Sequence, residues 1–155
     1  MSKVQIGQAL PAFTAQATSE QTISSADLKG KNVVIYFYPK DSTPGCTTEG
    51  QNFRDAIDDF AAANTVIYGV SPDSLKSHEN FKAKQAFPFE LISDPDKELA
   101  ELFGVWQLKK NYGREYMGIV RSTFLIDADG VLREEWRNLR VKGHVDKVLE
   151  AAKAL

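Results

Sequence analysis

The chain has 155 residues, the length of one ordinary domain able to bury about two-thirds of its unfolded surface, so a single domain over residues 1–155 is expected. Nineteen Lys and Arg against 21 Asp and Glu leave a formal net charge of −2, with 43% hydrophobic and 26% charged residues, and nothing in this balance asks for a nucleic acid or a membrane as partner. The single cysteine, Cys46, excludes an intramolecular disulfide and any multi-cysteine zinc or iron–sulfur site.

The first residues hold no apolar run of signal-peptide length and no Arg/Ser-rich import segment, so the cytoplasm is the expected compartment. After a loop around Pro11, short runs at Phe13–Gln16 and Gln21–Ser24 predict an opening hairpin. Asn32–Tyr38 is continuously apolar, the pattern of a central strand buried on both faces, and it is far shorter than the ~20 residues a bilayer requires. Pro39 ends it. One helix is predicted from about Pro44 to Ala63, with Phe53, Ile57, Phe60 and Ala61 on a stripe and Asn64 as a left-handed stop.

A strand at Thr65–Val70, a helix at Ser74–Gln85 closed by Pro88, a strand at Glu90–Ile92 and a helix opened by Asp94-Pro95 and closed by Gly104 continue a βαβ alternation. The Lys109–Tyr116 stretch reads as a solvated loop or hairpin. Thr123–Ile126 and Val131–Trp136 flank the turn Asp127-Ala128-Asp129-Gly130 and predict antiparallel neighbours, with Trp136 packed under the sheet. Val145, Val148, Leu149 and Ala152 mark a final amphipathic helix. The fold class is α/β, a central mixed sheet with helices on both faces.

Chemistry concentrates where the central strand meets the next helix, the junction at which ligands usually bind in α/β sheets. With Thr43 as N-cap and Pro44 at the first helical position, Cys46 falls third, where first-turn N–H groups and the helix dipole favour an anion. That placement favours thiolate, the reactive form. The Thr43 hydroxyl lies in the same turn and can donate to one atom while accepting from another, holding a substrate oxygen beside the sulfur. The seven- and eleven-residue spacings to Phe53 and Ile57 turn Cys46 inward, so the thiolate needs a cation, the more so because Glu49, one turn on, opposes its ionisation. Arg54 and Arg121 both qualify, and spacing does not choose between them. A lone cysteine is more often a small core hydrophobe, but a cap, a Pro and a Gly leading directly into it favour the reactive reading.

The pattern Pro39-x-x-x-Thr43-x-x-Cys46 resembles the peroxiredoxin active-site motif, and the surrounding Tyr-Pro-Lys-Asp-x-Thr-Pro-Gly-Cys-Thr-x-Glu is similar to the bacterioferritin comigratory protein or PrxQ subfamily. The likeness spans nearly the whole chain, from Gly7–Phe13 through Gly69–Asp73 to Arg121–Asp127. It implies a thioredoxin-like fold and a thiol-dependent peroxidase acting on hydrogen peroxide and organic hydroperoxides. By that resemblance Cys46 is the peroxidatic cysteine that passes through a sulfenic acid, and Thr43 orients the peroxide. Pro39 shields the thiolate, Arg121 stabilises it and the developing charge, and Glu49 holds the arginine.

The chain departs from its subfamily at one point. Many PrxQ proteins carry a resolving cysteine five residues after the first, where this chain has Gln51; others carry it on the next helix, around Phe81 to Gln85 here, which also lacks one. The expected cycle is therefore of one-cysteine type, resolved by an external thiol such as glutathione, a glutaredoxin-type or a thioredoxin-type protein, in a monomer or weak homodimer. A peroxide sensor or chaperone-like binding protein with negligible turnover is the alternative, and an inert thioredoxin-fold interaction module a third. A disulfide reductase is disfavoured because Thr43 stands where Cys-x-x-Cys has its first cysteine. His78 reads as solvated on a polar helix and His144 as capping the last one. Asp94-x-Asp96 reads as helix capping, so no metal and no cofactor are expected. The basic and aromatic residues around Trp106, Tyr112, Tyr116 and Trp136 do not outweigh the acidic balance, and no nucleic-acid role is expected.

Overall fold

The computed structural model describes residues 2–155. A seven-stranded sheet runs in the order β2-β1-β5-β4-β3-β8-β9, with β1 at Thr14–Ala17, β2 at Gln21–Ser24, β3 at Asn32–Phe37, β4 at Thr65–Ser71, β5 at Glu90–Ser93, β8 at Ser122–Ile126 and β9 at Leu132–Arg137. Strands β3, β4 and β5 are parallel, while β8 pairs antiparallel with β3 and β1 antiparallel with β5. The sheet is therefore mixed, and every residue of β3 is buried, as its unbroken apolar run requires.

The pleat of β3 divides the core. Val33, Ile35 and Phe37 face a cluster completed by Leu28, Leu99, Ala100, Phe103 and Phe124, under the short helix α4 (Glu98–Leu102). Val34, Tyr36 and Tyr38 face the opposite cluster, roofed by α1 (Pro44–Asp55), α2 (Ile57–Ala62), α3 (Leu75–Gln85) and α5 (His144–Lys153). Helices thus cover both faces. Among the described residues, no helix is long and apolar enough to cross a membrane.

The predicted helix over 44–63 is two helices, because Ala56 leaves helical geometry at φ −101° and ψ 9° and its N–H bonds back to Phe53. The break still brings Phe53 and Phe60 together in the core, ring centroids 5.8 Å apart. Asn64 takes the expected left-handed conformation at φ 56°. The predicted Asp94-Pro95 opening lies earlier than the helix it caps: α4 starts at Glu98, and the Asp94 carboxylate reaches forward to accept from the N–H groups of Leu99 and Ala100.

Residues 106–119 form a separate hairpin, β6 (Trp106–Asn111) and β7 (Arg114–Ile119), turned by Tyr112 and Gly113, both at positive φ. The expected β8–β9 hairpin is present. Asp127 accepts from the N–H groups of Asp129 and Val131 to set its turn. Trp136 is half-buried against the α5 side of the core.

Candidate active site

Local sequence makes the entry to α1. Pro39 stops β3, Ser42 adopts φ 62°, and Thr43 takes the extended backbone of an N-cap with Pro44 first in the helix. Thr43 does not cap with its side chain. Its hydroxyl turns back and donates to the Lys40 carbonyl at 2.9 Å. Cys46 is the third helical residue and only 2% exposed, its sulfur facing inward as the spacing to Phe53 requires.

The choice of arginine depends on strand order. Because β8 lies antiparallel beside β3 with Ser122 opposite Phe37, Arg121 stands one step further along, next to the β3–α1 loop. Its fork is used twice: Nη2 donates to Cys46 Sγ at 3.3 Å and Nη1 donates to Glu49 Oε1 at 2.6 Å. Arg54 points elsewhere, to Asp55 and the Gln85 carbonyl. Pro39, Thr43, Cys46, Glu49 and Arg121 are all set around this one helix entry. Pro39 and Thr43 are half-buried, and Glu49 is wholly buried.

Glu49 is pushed up to about 7 by burial, with Arg121 pulling the other way. Burial works against the charge on Arg121, but the negative partners Glu49 and Cys46 outweigh it and raise its pKa above the ordinary value. Glu49 Oε2 and Tyr36 Oη are buried without a hydrogen-bond partner among the described residues. The arrangement presents a sulfur, a hydroxyl and a guanidinium at a helix N-terminus, a set able to hold a small oxygen-bearing substrate and stabilise developing negative charge.

Sequence reading missed three residues here, Gly45, His78 and His144. Gly45 lets the arginine in, since a Cβ there would stand 3.2 Å from Arg121 Nη2; a glycine inside a first helical turn, against helix propensity, was the available signal. His78 is not solvated but wholly buried, its Nδ1 2.7 Å from Asp41 Oδ2, because the mostly polar α3 turns His78 and Phe81 onto the sheet. His144 likewise opens α5 without capping it, and its Nε2 lies 2.8 Å from Thr123 Oγ1 in the core. Asp41, Asp73 and His78 also bring ligand-type atoms within 4.8 Å of one another, but those facing atoms are already engaged in hydrogen bonds within the protein.

Residues 6–135 match the AhpC/TSA family. The chain belongs to that family. It is 52% identical over 150 residues to peroxiredoxin Bcp of Bacillus subtilis, covering 97% of this chain and 96% of the relative. A structure of Xylella fastidiosa PrxQ superposes with a TM-score of 0.93 at 39% identity, covering 99% of this chain and 98% of the other. The bacterioferritin comigratory protein of Xanthomonas campestris, studied for its alkyl peroxide reduction activity, superposes with a TM-score of 0.89 at 44% identity, over 95% of this chain and 98% of that one. This AhpC/TSA member is thus a thioredoxin-like peroxiredoxin of the Bcp/PrxQ group, a thiol-dependent peroxidase, with one cysteine in its sequence.

Proposed function

We propose that Cys46 is the peroxidatic nucleophile of this peroxiredoxin and that its substrates are hydrogen peroxide and organic hydroperoxides. The observation that carries the reading is the 3.3 Å contact between Arg121 Nη2 and Cys46 Sγ at the start of α1, which places a fixed positive group at the only thiol in the chain. The thiolate attacks the terminal peroxide oxygen; an S–O bond forms as the O–O bond breaks, sulfur is oxidised to sulfenic acid, and the departing oxygen takes up the proton that the Cys46 thiol released on ionising and leaves as water or alcohol. Thr43 orients the peroxide, Arg121 stabilises the charge on the separating oxygens, Pro39 limits water at the sulfur and Glu49 holds the guanidinium.

Gln51, where a resolving cysteine would stand one and a half turns beyond Cys46, leaves the sulfenic acid to an external thiol, glutathione, glutaredoxin-type or thioredoxin-type. One thiol displaces water to form a mixed disulfide, and a second reduces it and restores Cys46. Because Cys46 is 2% exposed, the first turn of α1 unwinds to meet a bulky reductant. We assign the protein to the cytoplasm, whose thiol pool reduces such a centre, as a monomer or weak homodimer.

Replacing Cys46 by Ser abolishes peroxide consumption in the presence of dithiothreitol; consumption by that variant overturns the reading. The burial of Sγ also favours a second reading, a peroxide sensor that oxidises quickly and turns over negligibly. Steady turnover with any of the three thiol classes decides for the peroxidase cycle, and rapid oxidation without turnover decides for the sensor.

A further inference from the structure

Beneath the loop 39–43 lies a buried polar network that the cycle above does not use. Asp41, 6% exposed, accepts from Tyr38 Oη at 2.7 Å through Oδ1 and from Ser77 Oγ at 2.8 Å through Oδ2. His78, with no exposed surface, bridges the same Oδ2 to β5: its Nε2 lies 2.9 Å from the Ile92 carbonyl, which only accepts, so Nε2 carries a hydrogen. A second proton lies between Nδ1 and the Asp41 carboxylate, since two bare acceptors do not approach to 2.7 Å.

The network reaches the site through one peptide group. The Asp41 N–H donates to Asp73 Oδ2 at 2.8 Å. The carbonyl of that same peptide unit belongs to Lys40 and accepts the Thr43 hydroxyl at 2.9 Å. Asp73 is itself held: Ser71 Oγ donates to the same Oδ2 at 2.6 Å, and Ser93 Oγ donates to its backbone carbonyl at 2.6 Å. A planar peptide fixed at its N–H end is fixed at its C=O end. With its hydrogen committed to Lys40, the Thr43 oxygen presents lone pairs outward and is an acceptor toward the site.

We propose that Asp73, supported by the Asp41–His78 pair, is a positioning residue: it sets the plane of the Lys40–Asp41 peptide and thereby holds the Thr43 hydroxyl as a hydrogen-bond acceptor for the peroxide O–H. The inference rests on the peroxidase reading of Thr43. It separates substrate orientation from thiolate stabilisation, because the side chains of Arg121 and Glu49 make no hydrogen bond to any member of this network among the described residues. Loss of Asp73 therefore affects peroxide and leaves an alkylating reagent, which needs no oriented O–H, reacting at its usual rate.

The test measures two rates at Cys46 in the full chain: oxidation by hydrogen peroxide in stopped flow, and alkylation by iodoacetamide. Asp73→Ala is expected to slow oxidation on the order of 10- to 100-fold, the scale of a misplaced orienting group, with alkylation changed less than about threefold. Asp73→Asn, which keeps an oxygen to accept from the Asp41 N–H, restores oxidation to within about threefold of the original rate. Combined with Thr43→Val, Asp73→Ala causes no further loss, as expected for residues acting through one hydroxyl. Asp73→Ala oxidising at the original rate, losing both reactivities equally, or multiplying the Thr43→Val loss overturns the proposal. Should Asp73→Ala fail to fold, Ser71→Ala, which removes the hydroxyl that donates to the Asp73 carboxylate, carries the same comparison, and an unchanged ratio of the two rates there also overturns it. Thr43→Val oxidising as fast as the original chain would instead sink the underlying reading of Thr43.

Discussion

Gly45 lies directly against the guanidinium of Arg121: a Cβ at residue 45 would stand 3.2 Å from Nη2 and 3.9 Å from Cζ, a tight contact. The guanidinium cannot retreat freely, because Nη1 is bound to Glu49 at 2.6 Å and Nη2 to Cys46 at 3.3 Å. Gly45→Ala therefore shifts the arginine by a few tenths of an ångström off the sulfur while improving helix propensity by up to about 1 kcal/mol. The expected outcome is a variant at least as stable as the parent to urea, yet oxidised by peroxide about tenfold more slowly, equivalent to about 1.4 kcal/mol in the barrier. Unchanged oxidation would show that the guanidinium is free to move.

Gly50 makes the opposite kind of close contact, with the core. A Cβ there would meet Phe87 Cζ at 2.3 Å, and that ring is stacked on Phe89 and set edge-on to Phe81, each at a centroid distance of 5.0 Å. Gly50→Ala must displace a packed aromatic cluster, at a cost of about 1–3 kcal/mol that exceeds the gain in helix propensity. A lowered urea midpoint with unchanged slope is the expected result, and a midpoint equal to the parent's would mean that the cluster repacks without strain.

How far this site was readable from sequence follows from the range of each interaction. Cys46 was legible because its signals are local: Thr43, Pro44 and the spacing to Phe53 all lie within three turns of helix. Arg121 was not selectable by spacing, because its approach to the sulfur depends on β8 lying beside β3, a pairing between residues 85 to 93 apart in sequence that no local period encodes. The two histidines fail for a related reason. Polarity along α3 and at the start of α5 predicts solvent, whereas His78 and His144 are buried because each finds a partner from a distant element, Asp41 or Thr123. The break at Ala56 carries no Gly or Pro, so no local residue signal marks it in the sequence.

His144 gives stability an acid limit. Burial first, then Lys147 and Arg121, lower it from 6.5 to about 4, so the folded protein keeps a neutral ring where the unfolded chain takes up a proton. Between pH 6.5 and 4 the unfolded state binds more protons, and this contribution is present above 6.5 and lost as the pH falls through 4. His144→Asn loses packing against Phe53 and Trp136 at every pH, so the diagnostic quantity is the slope. The parent's urea midpoint falls from pH 7 to pH 4.5 more steeply than the variant's; parallel curves would exclude His144 as the titrating group.

Glu49 works with the opposite sign. Burial raises it from 4.5 to about 7 against the pull of Arg121, so between those values the folded state holds a proton that the unfolded state has released. Its favourable contribution is complete below pH 4.5 and is lost as the pH rises through 7, by an amount on the order of 3 kcal/mol. Glu49→Gln keeps an oxygen for Arg121 Nη1 to donate to and removes the titration. The parent is expected to lose stability relative to this variant between pH 5 and pH 8 in urea titrations, and no change in their difference over that range would place the Glu49 proton elsewhere. The same carboxylate must be charged to hold Arg121 firmly at the sulfur, so stability declines with rising pH as the Arg121–Glu49 ion pair forms. Peroxide oxidation of the parent should therefore steepen with pH around 7 relative to Glu49→Gln, while the parent's urea midpoint falls.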